Sequence, residues 1–113
     1  MRHSRLLLAL LIAPFAACDD ESNAPPASDV TTSGETFTPP ALVLGANDSI
    51  ATWSITSGPH NITWEDAAPP SGDIVNGTYT REFVGANNTT YRYRCTIHST
   101  DFNTGMVGTV FVP

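Results

Sequence analysis

The sequence predicts an all-β chain folded as an antiparallel sandwich, and three observations support that prediction. The 113 residues include 8 Gly and 9 Pro but only 14% charged residues, a composition that favours many turns. Short apolar segments, several of them alternating in polarity, recur between the predicted turns. Beyond the first residues, no segment carries the sustained 3.6-residue apolar period of an amphipathic helix.

The first 17 residues have the organisation of a secretory signal peptide. Arg2 and Arg5 precede an apolar run over 6–13, and small residues then lead to Cys18. This run is too short to span a membrane as a helix. The sequence that ends at Cys18 also resembles a bacterial lipobox, which implies that this cysteine is lipidated and heads the mature protein. The alternative is ordinary signal cleavage next to a chance cysteine.

The mature chain is predicted to begin with a tether that precedes the folded domain. Residues 18–35 are polar and have almost nothing to bury, so we expect a flexible segment there and a folded domain over 36–113. The chain has 5 Lys+Arg against 11 Asp+Glu and a formal net charge of −6. Because it has no basic cluster, nucleic acid is excluded as a partner. We expect a monomeric periplasmic lipoprotein, anchored to a membrane of the cell envelope.

The first half of the domain contains three predicted strand segments. Apolar residues over 41–44 and 50–55 flank a Gly-Ala-Asn-Asp turn. The next segment, 59–65, alternates with period two. This alternation places His60 on the apolar face of the segment and Asn61 on the opposite face.

The second half continues the same pattern of strands and turns. A Pro/Gly-rich loop over 67–77 leads to a predicted strand over 78–84. In 91–95 the alternation is strict, with two tyrosines and Cys95 on one face and two arginines on the other. A polar loop then leads to the final strand, 106–112. Cys95 is therefore expected to point into the sandwich.

Four residues of these segments could together bind a metal. His60 comes from one strand, Cys95 and His98 end another, and Met106 begins the last. Each of them alone is more often an ordinary core residue. Two imidazoles, one thiolate and a weak axial thioether are, however, the ligand set of a blue-copper electron-transfer centre. The combination, rather than any single residue, points to copper.

The segments 59–62, 91–98 and 105–110 resemble the ligand-bearing segments of plastocyanin-like cupredoxins. The resemblance covers the chain from about residue 37 to residue 112. It implies a Greek-key β-sandwich of seven or eight strands that holds one type 1 copper ion near one end. The copper ligands implied by the resemblance are His60, Cys95, His98 and Met106.

The loop between two of these implied ligands departs from the plastocyanin pattern. Seven residues separate His98 from Met106, which makes the loop longer than in plastocyanin. Asn103 falls at the position that the shorter spacing would give. The glycines that flank Met106 match the family signature, so we predict the methionine as the axial ligand.

A second departure concerns the route of the electron. Arg94 stands where plastocyanins carry a tyrosine that serves as a remote electron route, so we expect electron exchange at the edge of His98. In the family this edge lies in an apolar patch, to which Phe102 and Pro59 could contribute here. The resemblance also implies that Asn61 supports the site, through its backbone amide near the thiolate and its side chain on the ligand loop.

The resemblance implies a one-electron carrier rather than an enzyme. Redox proteins such as a c-type cytochrome or a copper-containing oxidoreductase are the expected partners. The main alternative is an envelope copper carrier or scavenger that does not exchange electrons, although such a protein would be expected to contain more methionines. A metal-free sandwich used for adhesion or interaction is a third hypothesis. The sequence has too few histidines for a trinuclear copper oxidase and no motif of a serine nucleophile.

Overall fold

The computed structural model describes residues 29–113, which form eight β-strands in two sheets packed face to face. The strands are β1 (Asp29–Ser33), β2 (Thr36–Thr38), β3 (Ala41–Val43), β4 (Ile50–Ile55), β5 (Thr63–Trp64), β6 (Gly77–Glu82), β7 (Thr89–Arg94) and β8 (Val107–Val112). The predicted all-β sandwich is confirmed. The signal peptide predicted over 1–17 and the lipidation site Cys18 lie outside the described residues. Within that described part, no helix is long and apolar enough to cross a membrane.

The two sheets have the strand orders β2-β1-β4-β6 and β3-β8-β7-β5. Strands β3 and β4 lie in opposite sheets, so the predicted turn between them carries the chain across the sandwich. The sequence predicts an antiparallel sandwich, but the sandwich is mixed, because β1 pairs with β4 and β3 with β8 in parallel. Parallel neighbours are joined by long connections, and alternation within a single strand does not reveal them.

The domain begins earlier than the sequence predicted. The sequence predicts that residues 29–33 belong to the flexible tether, but they form β1 and pair with both β2 and β4. Val30 is completely buried, and it is the one apolar side chain in an otherwise polar strand. A single apolar residue gives too weak a pattern to distinguish a strand from a linker. Glu35, the last residue of the predicted tether, therefore belongs to the folded domain.

Aromatic rings fill the core between the sheets. Trp53 in β4 is completely buried and meets Trp64 and Tyr93 edge-on, with ring centroids 5.5 and 5.3 Å apart. Gly108 in β8 leaves the space that the Tyr93 ring occupies, because a Cβ at this position would overlap the tyrosine hydroxyl. This packing fixes β7 against β8 and β4 just before the chain reaches the site described next.

Candidate metal centre

Three of the side chains assigned to copper from the sequence meet where β7 ends. Cys95 directly follows β7 as a buried free thiol, and the partly exposed His98 lies in the turn that comes after it. His60 precedes β5, and its backbone exchanges hydrogen bonds of 3.0 and 2.7 Å with Ile74. These connections bring one thiol and two imidazoles from two distant segments into a single group.

The three donor atoms are spaced as the ligands of one metal ion would be. The Nδ1 atoms of His60 and His98 are 3.3 Å apart, and Cys95 Sγ lies 4.0 and 3.6 Å from them respectively. The point in their plane that is equidistant from all three lies about 2.1 Å from each, within the usual range of metal–nitrogen and metal–sulfur bonds, about 2.0–2.3 Å. A trigonal group of two imidazoles and one thiolate is the donor set of a blue-copper site. Copper therefore fits the group as it stands.

Met106 brings the end of the long loop back to the site through its backbone. Its carbonyl accepts a hydrogen bond from the Cys95 amide at 2.9 Å, and its amide donates to the His98 carbonyl at 3.2 Å. The preceding Gly105 has a φ of +84°, and a Cβ there would lie 2.6 Å from the His98 carbonyl oxygen, so glycine is required. The Met106 side chain is buried, and its role as the axial ligand stays a prediction.

Asn61 ties the segment of His60 to the segment that follows Cys95. Its Oδ1 accepts hydrogen bonds from the Thr96 amide and from the Thr63 hydroxyl, both at 3.0 Å. Its Nδ2 donates to Thr96 Oγ1 at 2.8 Å and to Asp73 Oδ1 at 2.9 Å. Both donors and both lone pairs of the amide are thereby used. The two ligand-bearing segments are consequently held at a fixed separation.

The surroundings of His60 favour the form of imidazole that binds a metal. Burial lowers the pKa of His60, and the neighbouring His98 lowers it further, while Glu35 and the Gly34 backbone carbonyl act in the opposite direction. A metal ion needs a neutral imidazole with a free nitrogen lone pair. The lowered pKa therefore keeps His60 neutral, and able to bind a metal, down to a lower pH.

The exposed edge of His98 opens into a polar pocket rather than an apolar patch. Glu35, from the turn between β1 and β2, places a carboxylate oxygen 3.6 Å from His98 Nε2. The other residues that line the pocket are Thr96, Ile97, Ser99, Thr100, Thr104 and Gly105. Phe102 and Pro59, which the sequence suggested for an apolar patch, are not among these lining residues. Ile97 is the one large apolar side chain of the lining.

The long loop is held by two arginines that project from β7. Arg94 donates from Nη1 to the Ser99 carbonyl at 2.7 Å, and its guanidinium lies 5.3 Å from the Phe102 ring centroid. Arg92 lies 5.9 Å from the same centroid and donates to Asn103 Oδ1 at 2.7 Å. Asn103, the axial candidate at the shorter spacing, is thus engaged on the outer face of the sheet. We call these two arginines with Ser99, Phe102 and Asn103 the loop clamp.

No pattern in the sequence directly indicates the loop clamp or the position of Glu35. The alternation of β7 put its two arginines on the outer face, but it did not show what they contact. The length of the loop was the only available hint, since a loop with extra residues needs additional contacts to adopt one conformation. No local sequence pattern predicts that Glu35 lies beside His98, because this position depends on how β1 enters the sheet.

Comparison with solved structures supports the β-sandwich fold described above. No family model and no curated protein matches the chain. Among solved structures, a mutant of amicyanin in its oxidised form is 26% identical, with a TM-score of 0.61, over 77% of this chain and 82% of that one. A purple cupredoxin from Nitrosopumilus maritimus is 20% identical, with a TM-score of 0.58, over 76% and 99% of the two chains. A mutant plastocyanin of fern is also 20% identical, with a TM-score of 0.55, over 75% and 99%.

The likeness at 20% identity concerns the fold alone, so the site has to be judged on its own geometry. In that geometry two imidazoles and one thiolate surround a point that lies at metal-bonding distance from each of the three donor atoms. The fold and the donor set agree with each other and with the amicyanin match. The chain therefore has a cupredoxin fold and brings together a His-Cys-His group that is suited to copper.

Proposed function

We propose that this protein carries single electrons between redox partners in the cell envelope. The observation that supports the proposal most strongly is the spacing of the three donor atoms, which suits copper without rearrangement. When bound there, copper supplies reversible one-electron chemistry that needs no bond to a substrate. A carrier of this kind requires no catalytic group, so we class the protein as a non-enzyme.

The residues around the site have the properties that fast electron transfer needs. Cys95 is completely buried, so the surrounding core shields its sulfur from water. The hydrogen bonds of Asn61 and Met106 hold the ligand segments in place, so that little rearrangement accompanies a change of charge. The side chain of His98 is 22% exposed, which provides one edge where an electron can enter or leave.

We further propose that the protein is exported and held at a membrane by a lipid on Cys18. This part of the proposal depends on the sequence of the first 18 residues, a basic start, an apolar run and a lipobox-like end. A monomer on a tether would reach partners such as a c-type cytochrome or a copper-containing oxidoreductase. An envelope copper carrier with the same ligands is the competing function.

Two matched substitutions of cysteine by serine test these proposals. The purified protein loaded with Cu(II) is expected to show an intense visible charge-transfer band, which Cys95→Ser abolishes because the band arises from a copper–thiolate bond. Cys18→Ser is expected to keep the band but to release the protein from the membrane fraction and to remove the lipid mass. Repeated chemical oxidation and reduction should restore the band each time. A colourless complex that holds only Cu(I) would instead establish the copper carrier.

A further inference from the structure

We propose that Glu35 makes the electron-transfer edge of His98 a docking surface for a positively charged redox partner. This inference rests on the proposed electron-transfer function and adds the chemistry of the partner to it. The carboxylate of Glu35 lies 3.6 Å from His98 Nε2 and its side chain is 73% exposed. A partner that approaches this edge therefore meets a negative charge before it meets the imidazole.

The backbone holds Glu35 in this position. Ser33 pairs with Thr36 across the β1–β2 hairpin, so only Gly34 and Glu35 form the turn. Gly34 takes a φ of +58°, which glycine adopts without strain. The Thr36 hydroxyl closes the turn by donating to the Ser33 carbonyl at 2.6 Å. The carboxylate thus stands on a tight two-residue turn instead of a long mobile loop.

The arginines in the described part of the protein lie outside the lining of this pocket, and Arg94 comes nearest through its bond to the lining residue Ser99. Arg81 pairs with Asp66 at 2.7 Å, Arg92 lies 3.3 Å from Glu65, and Arg94 donates to the Ser99 carbonyl. None of the three lines the pocket beside His98. The chain as a whole carries a formal charge of −6, so the wider field has the same sign as the local one.

The lining of the pocket also favours a polar contact. Hydroxyl groups of threonine and serine surround the edge of His98, and Ile97 supplies the one large apolar contact. Hydroxyls and a carboxylate are well suited to receive the donors of lysine or arginine. A partner that presents such cations around its own redox group would be steered to this edge, and the steering would weaken with salt.

Small oxidants of opposite charge test the inference on the copper-loaded, reduced protein. Wild type, Glu35→Gln and the matched control Glu82→Gln are mixed in a stopped-flow instrument with tris(phenanthroline)cobalt(III), a cation, or hexacyanoferrate(III), an anion. Glu82 is exposed and is the last residue of β6. It lies at the end of the strand away from His60, because His60 pairs with Ile74, just before β6 begins. Glu35→Gln is expected to slow oxidation by the cation by about two- to fivefold at low salt and to accelerate oxidation by the anion.

Opposite changes with the two reagents distinguish a charge at the docking edge from a changed potential, which would alter both rates in one direction. High salt should remove most of the difference, and Glu82→Gln should leave both rates near those of wild type. Rates of Glu35→Gln that equal those of wild type, or that change equally in both variants, would overturn this inference while leaving electron transfer intact. Failure of wild type to exchange electrons with either reagent would overturn the proposed function as well.

Discussion

Arg94 is expected to set the conformation of the ligand loop, and Arg94→Met tests this expectation. The substitution keeps an unbranched apolar stem but removes the guanidinium that bonds Ser99 and covers Phe102. Ser99 in turn donates from its hydroxyl to the Cys95 carbonyl at 2.5 Å. The contacts of Arg94 therefore continue directly into the backbone of the thiolate ligand.

The size of the effect can be worked out from the contacts that are lost. A hydrogen bond from a charged donor contributes about 1.5–3 kcal/mol, and a partly exposed cation–π contact adds about 0.5–1 kcal/mol. Allowing for partial exposure, Arg94→Met should lower the free energy of unfolding by about 2 kcal/mol. If copper binds only when the loop has the conformation that Arg94 stabilises, a loss of about 2 kcal/mol can lower the copper affinity by at most about thirtyfold. We expect a loss of about tenfold.

Two measurements and two control variants decide whether Arg94 positions the ligands. Competition with a coloured Cu(I) chelator gives the copper affinity, and urea denaturation of the metal-free protein gives the stability. Arg94→Lys should recover part of the affinity, because lysine keeps the charge but loses the planar donors. Arg81→Met removes a guanidinium that contacts Asp66 and the ring of Trp64, so it should reduce stability and leave affinity unchanged. An Arg94→Met protein that is less stable yet binds copper as wild type does would refute the reasoning.

Three further predictions concern the axial ligand, the core and the effect of pH. Met106→Leu should keep the visible band but shift the reduction potential measured by redox titration, and loss of all copper binding would contradict an axial role. Gly108→Ala should destabilise the protein by about 1–3 kcal/mol in urea denaturation, because the added methyl group meets the buried Tyr93 ring; an unchanged midpoint would contradict this packing. Hydrogen bonding to Arg81 lowers the pKa of Asp66, so the stabilisation that this pair provides should be present near neutral pH and lost as acid protonates the carboxylate. Asp66→Asn should therefore lie below wild type in stability near neutral pH and approach it in acid, and a constant difference would rule out this source.

The sequence identified three residues, His60, Cys95 and His98, that the structure brings together, whereas the axial role of Met106 stays a prediction. The strict alternation of β7 predicted that Cys95 is buried, and the order of His60, Cys95 and His98 along the chain matched a known ligand arrangement. Both signals are local, since they depend on residue type and on spacing within one strand or one turn. For the same reason the loop between His98 and Met106 could be recognised as long, although its conformation could not be derived.

Tertiary structure alone decided the parallel pairing of β1, the position of Glu35 beside His98 and the contacts of Arg94 with the ligand loop. The first two depend on segments that are distant in sequence. The contacts of Arg94 join residues five to eight positions apart, but they depend on the conformation of the loop after β7, which the pattern of residues does not specify. The pattern of one strand records which side chains face inward, but it carries no information about which strand lies beside it. Long-range pairing is set by the packing of the whole domain, so these features become visible only once that packing is known.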